Sequence, residues 1–516
     1  MSTESTGVPT GVPVLDDENL SESFPGPCAP MTRDVILRIY PPLVRTLARS
    51  AGLPEPASPV VFIEGRAYYS ISSLSSLLRT GPEAARNLLP THGQRPRIPL
   101  QTLRPLLREL ISTFRKVEDG EVEFLRDLDT YLRIERSRFN PESDWSGIRE
   151  SLLPFIDETR RRFEPVLRVD VLALFLDDLY RWIGRKAPVR TDPSTASCLR
   201  SIRHLRSAIY QDSAARDYLL SCAGTGHYSP AMLRLRNDDL AHLLNDFLDE
   251  FGDRCPGELK LETRSYREYP ELFLPILLQD TERKPSTIIT AGGRSQGVTG
   301  WVDRKFAALI SFRQSSRWMR ARAFGVLRGR LLQMGKFLEE KGAIESREDV
   351  FYFHLEELIA MDQPGGNYRD LIMDRRVIHY DQGEINVHGR LRHDHEGNWV
   401  PDASPQREVL HASQSLDLPM EGEVLLISQE DRMPESPEVL KGKILVMHAA
   451  SPGIVHQLPW IAGLICESGS TLSHSSVLCR EFGIPAIFGV KGAFERLQSG
   501  QKIRFLPRSG IIEPIG

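Results

Sequence analysis

Residues 467–490 read ESGSTLSHSSVLCREFGIPAIFGV. A small, flexible Gly469-Ser470 pair leads to Ser473, a side chain suited to cap a helix N-terminus, and His474 then falls at the first helical position. Gly483 is placed to end that helix, and Pro485 to stop it before the next β run. Imidazole is nucleophilic near neutral pH because its ordinary pKa is about 6.5. A phosphoryl group bonded to His474 would face the unpaired amides and the positive end of the first helical turn. The N–P bond so formed is labile enough to pass the group onward. Ser470, Thr471, Ser473 and Ser475 supply hydroxyls that could steady the phosphate. Read singly, His474 would be an ordinary surface histidine at a helix start. The conjunction of loop, cap, imidazole, helix and Gly-Ile-Pro-Ala strand points instead to a phosphocarrier.

Arg313, Arg317 and Arg320 form a second constellation, at i, i+4 and i+7 of a helical stretch, so they share one face. Guanidinium forks match phosphate oxygens and can stabilise charge in a phosphoryl-transfer transition state. The plainer alternative is a solvated basic face paired to nearby acids. His227, in CAGTGHYSP, is either a general base or an ordinary loop histidine.

The elements that must position these groups follow from patterning. Residues 422–428, 443–449, 462–468, 486–490, 502–508 and 511–515 are short β runs, with helical segments near 473–482 and 491–498, which gives a compact β/α domain. From about 95 to 360 apolar residues recur at helical intervals, and a long proline-free helix is expected over about 302–340. A helix near 240–251 should end at Gly252 and Pro256. VVFIEGRAYYS reads as a β segment turning at Gly65, and short β-like runs are expected after about Val377.

The 516 residues are 41% hydrophobic and 26% charged, which suits two to four globular domains at about 100–200 residues each. The net charge of −4 gives no support for nucleic-acid binding. The six cysteines form no C-x-x-C or zinc spacing, so reduced thiols in the cytoplasm and no metal site are expected. There is no signal-peptide pattern and no apolar run long enough for a membrane span. Residues 1–18, rich in Ser, Thr, Gly and Pro, read as a disordered tail.

Gly469, Ser473, His474, Arg480, Glu481, Gly483, Ile484, Pro485, Ala486 and Gly489 together resemble the phosphohistidine mobile domain of the PEP-utilising enzymes, a family that includes pyruvate phosphate dikinase, PEP synthase and rifampicin phosphotransferase. Ser470 stands where a second Gly is usual, and Leu472 is nearer the rifampicin phosphotransferase type. Segments 19–32, 251–268 and 348–358 resemble the substrate-binding domain of the same proteins. Arg313 matches an Arg that faces the phosphohistidine there, and Arg317 replaces a Lys. Arg254 and Glu258 match an R-x-P-G-E element, in which Glu258 orients a substrate or an Arg, or in which the Pro-Gly turn merely ends a helix.

The resemblance implies an α+β multidomain fold. A large, mainly helical substrate-binding domain (19–409), with Arg320, Arg254, Glu258 and His227 as candidate substrate contacts, would precede a swivelling β/β/α phosphohistidine domain (410–516). It implies a phosphotransferase in which His474 receives its group from a separate ATP-grasp partner using ATP and Mg²⁺. His474 would pass the group, with help from Arg313 and Arg317, to a small-molecule acceptor. The outcome could be condensation in a biosynthetic pathway. No nucleotide site is expected on this chain itself. The alternative is a non-catalytic binding or regulatory homologue that has lost its phosphate supply.

Overall fold

The structure is a computed structural model that describes residues 14–16, 20, 23–50, 54–70, 73, 112, 123–138, 144–182, 193–254, 259–278, 297–385, 390–393, 398–401, 411–412, 420–427, 437–448, 450, 460–467, 475–476, 479, 484–490, 492–506 and 511–515. They fall into two compact units. The first draws on spans 1–189, 259–262 and 292–409, the second on 190–258, 263–291 and 410–516. Residues 410–516 group with 190–258 and 263–291, and the span 19–409 is shared between the two units.

The first unit is organised by one long helix, Gly297–Glu340, which starts earlier than its apolar pattern suggested. Phe306, Leu309, Leu327, Leu331 and Leu338 are all buried on it, and it packs against helices Trp145–Arg162 and Glu164–Trp182 and the 3₁₀ turn Arg347–Tyr352. A helix enclosed on several sides must find partners for its charges. Arg330 reaches Glu135 at 2.6 Å, Arg322 pairs with Asp129, and Arg328 donates to the Leu261 carbonyl. Gly335, a weak helix former, is explained by packing. A Cβ there would stand 2.0 Å from the Arg347 carbonyl oxygen, so the 3₁₀ turn can approach only a glycine.

Helix Pro30–Ser50 opens on a proline, which suits the first helical position, and runs on through Pro41 and Pro42. Residues 259–262 join this unit because their side chains grip the start of that helix. Lys260 donates to the carbonyls of Pro25 and Pro27 at 3.1 and 2.6 Å, and Glu262 accepts from the Ala29 amide and the Thr32 hydroxyl at 3.0 and 2.5 Å. Two segments singled out separately in the sequence, 19–32 and 251–268, therefore meet.

A five-stranded antiparallel sheet completes the unit: β1 (Val14–Asp16), β2 (Val60–Ile63), β3 (Arg66–Ser70), β4 (Arg390–His393) and β5 (Trp399–Pro401), in the order β2-β3-β1-β4-β5. β2 and β3 turn at Glu64-Gly65, with φ of 44° and 71°, the pair of positive angles a tight primed hairpin needs. β1 corrects the expectation of a disordered tail over 1–18. Leu15, 2% exposed, fills the core with Tyr68 and Leu391, so Val14–Asp16 is the central strand. The β-like reading after Val377 holds at β4 and β5 but is corrected for Val377–Glu384, because helix Arg369–Glu384 continues through those residues. Arg375 on that helix is tied to Glu357 and the Tyr352 carbonyl, and such tertiary bonds outweigh local strand preference.

In the second unit, helices Pro193–Gln211, Ser213–Thr225 and Asp238–Phe251 form the α-helical part. Asn237 caps the last of these by accepting from the Leu240 amide, and Leu240, Leu244, Phe247 and Phe251 face inward. The helix ends at Gly252, as its pattern predicted.

The C-terminal sheet contains β6 (His411–Ala412), β7 (Met420–Ile427), β8 (Lys443–Met447), β9 (Gly463–Cys466), β10 (Ala486–Phe488), β11 (Lys502–Leu506) and β12 (Ile511–Pro514), in the order β12-β11-β7-β8-β9-β10-β6. β7 to β10 are parallel, and the outer strands are antiparallel. Leu445, Leu464, Ala486 and Phe488 build a core on one face, and Ile444, Ile465, Ile487 and Phe505 one on the other. Burial on both faces is what near-continuous apolar strands require. The fold class is thus α+β, with the mixed β/α module at the C-terminus, as the sequence led us to expect.

Candidate functional site

Parallel strands place their carboxyl ends on one edge, where open α/β sheets usually bind ligands. At that edge β9 ends at Cys466, and Glu467 follows. Segment 468–474, with Ser470, Thr471, Ser473 and His474, lies outside the described residues. What surrounds it is firmly built. Helical structure is present at Ser475, Ser476 and Cys479, all buried, and the Ile484 amide closes back onto the Cys479 carbonyl at 2.8 Å. The Ser475 hydroxyl donates to the Ala450 carbonyl at 2.7 Å. Its proton ties this buried residue to the chain at Ala450.

Glu467 is the charged group at the root of the segment. Its Oε2 lies 2.5 Å from Nδ1 of His448, and its Oε1 accepts the Phe494 amide at 2.9 Å. Burial opposes its charge, but the His448 bond and the Phe494 amide outweigh burial and hold its pKa below the ordinary glutamate value. A depressed folded pKa contributes stability above the unfolded value and loses it as pH falls through the folded one. Acid titration of unfolding should therefore show a smaller loss for Glu467→Gln than for the natural protein, over the range below the ordinary glutamate pKa. Equal acid limbs would contradict the assignment.

In the first unit, the arginine face of the long helix turns inward. Arg313 and Arg320 converge on Asp170 of helix Glu164–Trp182 at 3.2 and 3.3 Å, with only 12% and 17% of their side chains exposed, and Arg317 is buried. A solvated basic face is excluded by those exposures. Tyr40 hydrogen-bonds Arg320, and Tyr69 lies in the same electrostatic neighbourhood. Burial raises both phenols, so they stay protonated, and the Tyr40 oxygen accepts from Arg320. The sequence reading missed Asp170, Tyr40 and Tyr69. Asp170 alone left a trace, as a carboxylate set among the buried Val166, Val169, Leu172 and Ala173.

The remaining predicted residues lie in the second unit. Arg254 is buried in the turn after helix Asp238–Phe251, where its carbonyl accepts the Tyr266 amide at 3.2 Å. Glu258 lies outside the described residues. His227 is exposed, next to Gly226, which caps a helix in the left-handed conformation. The structure thus gathers Arg313, Arg317 and Arg320 within the first unit, while Arg254 and His227 belong to the second. Among the described residues no three His, Cys, Asp or Glu side chains group as a metal site, and no helix is long and apolar enough to cross a membrane.

Residues 439–506, which span β8 to β11 and include His474, match the PEP-utilising enzyme mobile domain. Over those residues the C-terminal module is similar to a PEP-utilising mobile domain. Residues 176–290 match the rifampicin phosphotransferase fourth domain. Rifampicin phosphotransferases from Bacillus cereus, Bacillus subtilis and Streptomyces sviceus are 23%, 24% and 25% identical to this chain, each alignment covering 52% of it. The chain spans only about a third of the length of these curated relatives, 34%, 34% and 33%. A solved aconitase X chain from Thermococcus kodakaraensis aligns over 21% of this chain and 98% of its own, at 21% identity and a TM-score of 0.17, too low to speak for the fold. Within the mobile domain, the stretch that carries the family resemblance is the one flanked by Glu467 and the buried Ser475.

Proposed function

We propose that this chain is the acceptor-binding and phosphocarrier part of a phosphotransferase of the PEP synthase and rifampicin phosphotransferase type, working in the cytoplasm. The observation that carries the reading is that the mobile-domain match over residues 439–506 contains His474, in the segment that follows β9 in the sequence. A ring nitrogen of His474 attacks a nucleotide phosphorus, and the nucleotide oxygen leaves. An acceptor oxygen then attacks the same phosphorus, and the imidazole leaves. Arg313 and Arg317, backed by Arg320, would neutralise charge on the group in transfer. In this reading ATP and Mg²⁺ are held by an ATP-grasp partner and reach this chain only as the phosphoryl group. The acceptor is a small molecule, and phosphorylation drives its condensation with a second one.

The test is incubation with an ATP-grasp partner and ATP labelled at the β- or γ-phosphate. Acid-labile, base-stable label on this chain supports the carrier role, and the labelled position tells dikinase from simple kinase chemistry. A second reading, a binding homologue without phosphate supply, draws on Arg313 and Arg320 already engaging Asp170. Under it, no label accumulates with either nucleotide.

A further inference from the structure

A second imidazole lies at the root of the carrier segment. β8 and β9 are adjacent and parallel, so His448 and Glu467, the residues that follow them, emerge side by side. The Glu467 amide donates to the Met447 carbonyl at 3.0 Å, which fixes its backbone to β8. Its carboxylate bridges two further elements, His448 at 2.5 Å and the amide of Phe494, on helix Ala493–Arg496, at 2.9 Å. The rings of His448 and Phe494 stack with centroids 4.3 Å apart. Removing a carboxylate from water is costly unless its hydrogen bonds are made, and an apolar pair would fill the same space without that cost.

We infer that Glu467 is a positioning residue for the carrier segment and that His448 orients its carboxylate, so that phosphoryl uptake at His474 depends on the pair although neither group touches the phosphoryl. The inference rests on the carrier reading of His474. Glu467 is the last described residue before segment 468–474, so its three bonds fix the residue to which that segment is attached. Reacting groups tolerate little misplacement. An error of about 1 Å can cost on the order of a hundredfold in rate. The role of His448 is to donate from Nδ1, and the side-chain amide of Asn can place a donor near the same point.

The experiment uses the whole chain and potassium phosphoramidate, a donor that needs no partner protein. Its P–N bond breaks, ammonia leaves and a new P–N bond forms on imidazole. The rate of phosphorylation at His474 is followed by ³¹P NMR and peptide mapping in the natural protein and in Glu467→Gln, Glu467→Ala, His448→Ala and His448→Asn, with the melting temperature of each. We expect Glu467→Ala and His448→Ala to slow uptake about tenfold or more, and His448→Asn to restore it to within about threefold. If Glu467→Ala fails to fold, Glu467→Gln, which keeps the shape but one fewer acceptor, carries the same expectation. Lowered melting temperatures with unchanged rates in the folded variants would reduce the pair to a structural role and overturn the inference. Asn as slow as Ala at position 448 would also overturn it, by giving the ring itself a chemical role. Absence of phosphate on His474 in the natural protein would fell the carrier reading, and this inference with it.

Discussion

His474→Ala is expected to abolish phosphoryl uptake and to lower turnover by about a thousandfold or more, while the melting temperature stays close to that of the natural protein. The size of the effect follows from covalent catalysis. When a nucleophile is deleted, the intermediate it would have formed no longer exists, and only binding and charge stabilisation remain. The expected structural silence follows from where the anchors lie. Ser475, Ser476 and Cys479 are buried on one side of the segment, and Cys466 and Glu467 tie down the other, so the fold around it is secured without the imidazole. Circular dichroism and a melting curve, run beside the labelling assay, separate the two effects. A variant that retained label would place the carrier nitrogen elsewhere.

Arg330→Ala should destabilise the first unit by about 3–5 kcal/mol, the cost typical of breaking a buried ion pair by removing one partner. The Arg330 side chain is 1% exposed and that of Glu135 is 9% exposed. Arg330 bonds both the carboxylate and the carbonyl of Glu135, at 2.6 and 3.2 Å, and its guanidinium lies 4.2 Å from the centre of the Phe155 ring. Alanine leaves the Glu135 carboxylate with its remaining contact to Arg138, whose side chain is 63% exposed, and opens a cavity beneath Phe155. The double replacement Arg330→Met with Glu135→Leu removes both charges and keeps the volume. It should cost far less, because a buried ion pair is often no more stabilising than apolar packing. Urea unfolding of the natural protein, the single variant and the double variant provides the comparison. The pair also matters for the site, because it pins the same long helix that presents Arg313, Arg317 and Arg320. If the single and double variants were equally destabilised, the loss would be one of packing rather than of an unpaired charge.

The parts of this molecule legible in its sequence were those governed by local rules. The β/α module could be read because β7 to β12 alternate with turn residues and its parallel centre is almost wholly apolar. The long helix and the Gly65 hairpin were legible for similar reasons, one from apolar periodicity and the other from a glycine that alone accepts φ near 71° without strain. What escaped depended on distant partners. Val14–Asp16 is too short to announce a strand and becomes one because β3 and β4 flank it. Val377 to Glu384 look β-like alone, and only the bonds Arg375 makes to Glu357 and Tyr352 show why the helix persists. The inward arginine face was legible as a face, but its direction was not, because Asp170 lies on a helix 143 residues away in sequence from Arg313. Glu467 and His448 fit no motif. They meet because two strands lie side by side.

The central claim is tested most directly by locating the phosphoryl group. The chain is charged by an ATP-grasp partner and ATP, digested at alkaline pH to preserve N–P bonds, and its peptides are sequenced by mass spectrometry. The account predicts one phosphorylated residue, His474, with one phosphoryl group per chain. Phosphate on His448, on a carboxylate such as Asp170, or nowhere on the chain would contradict it.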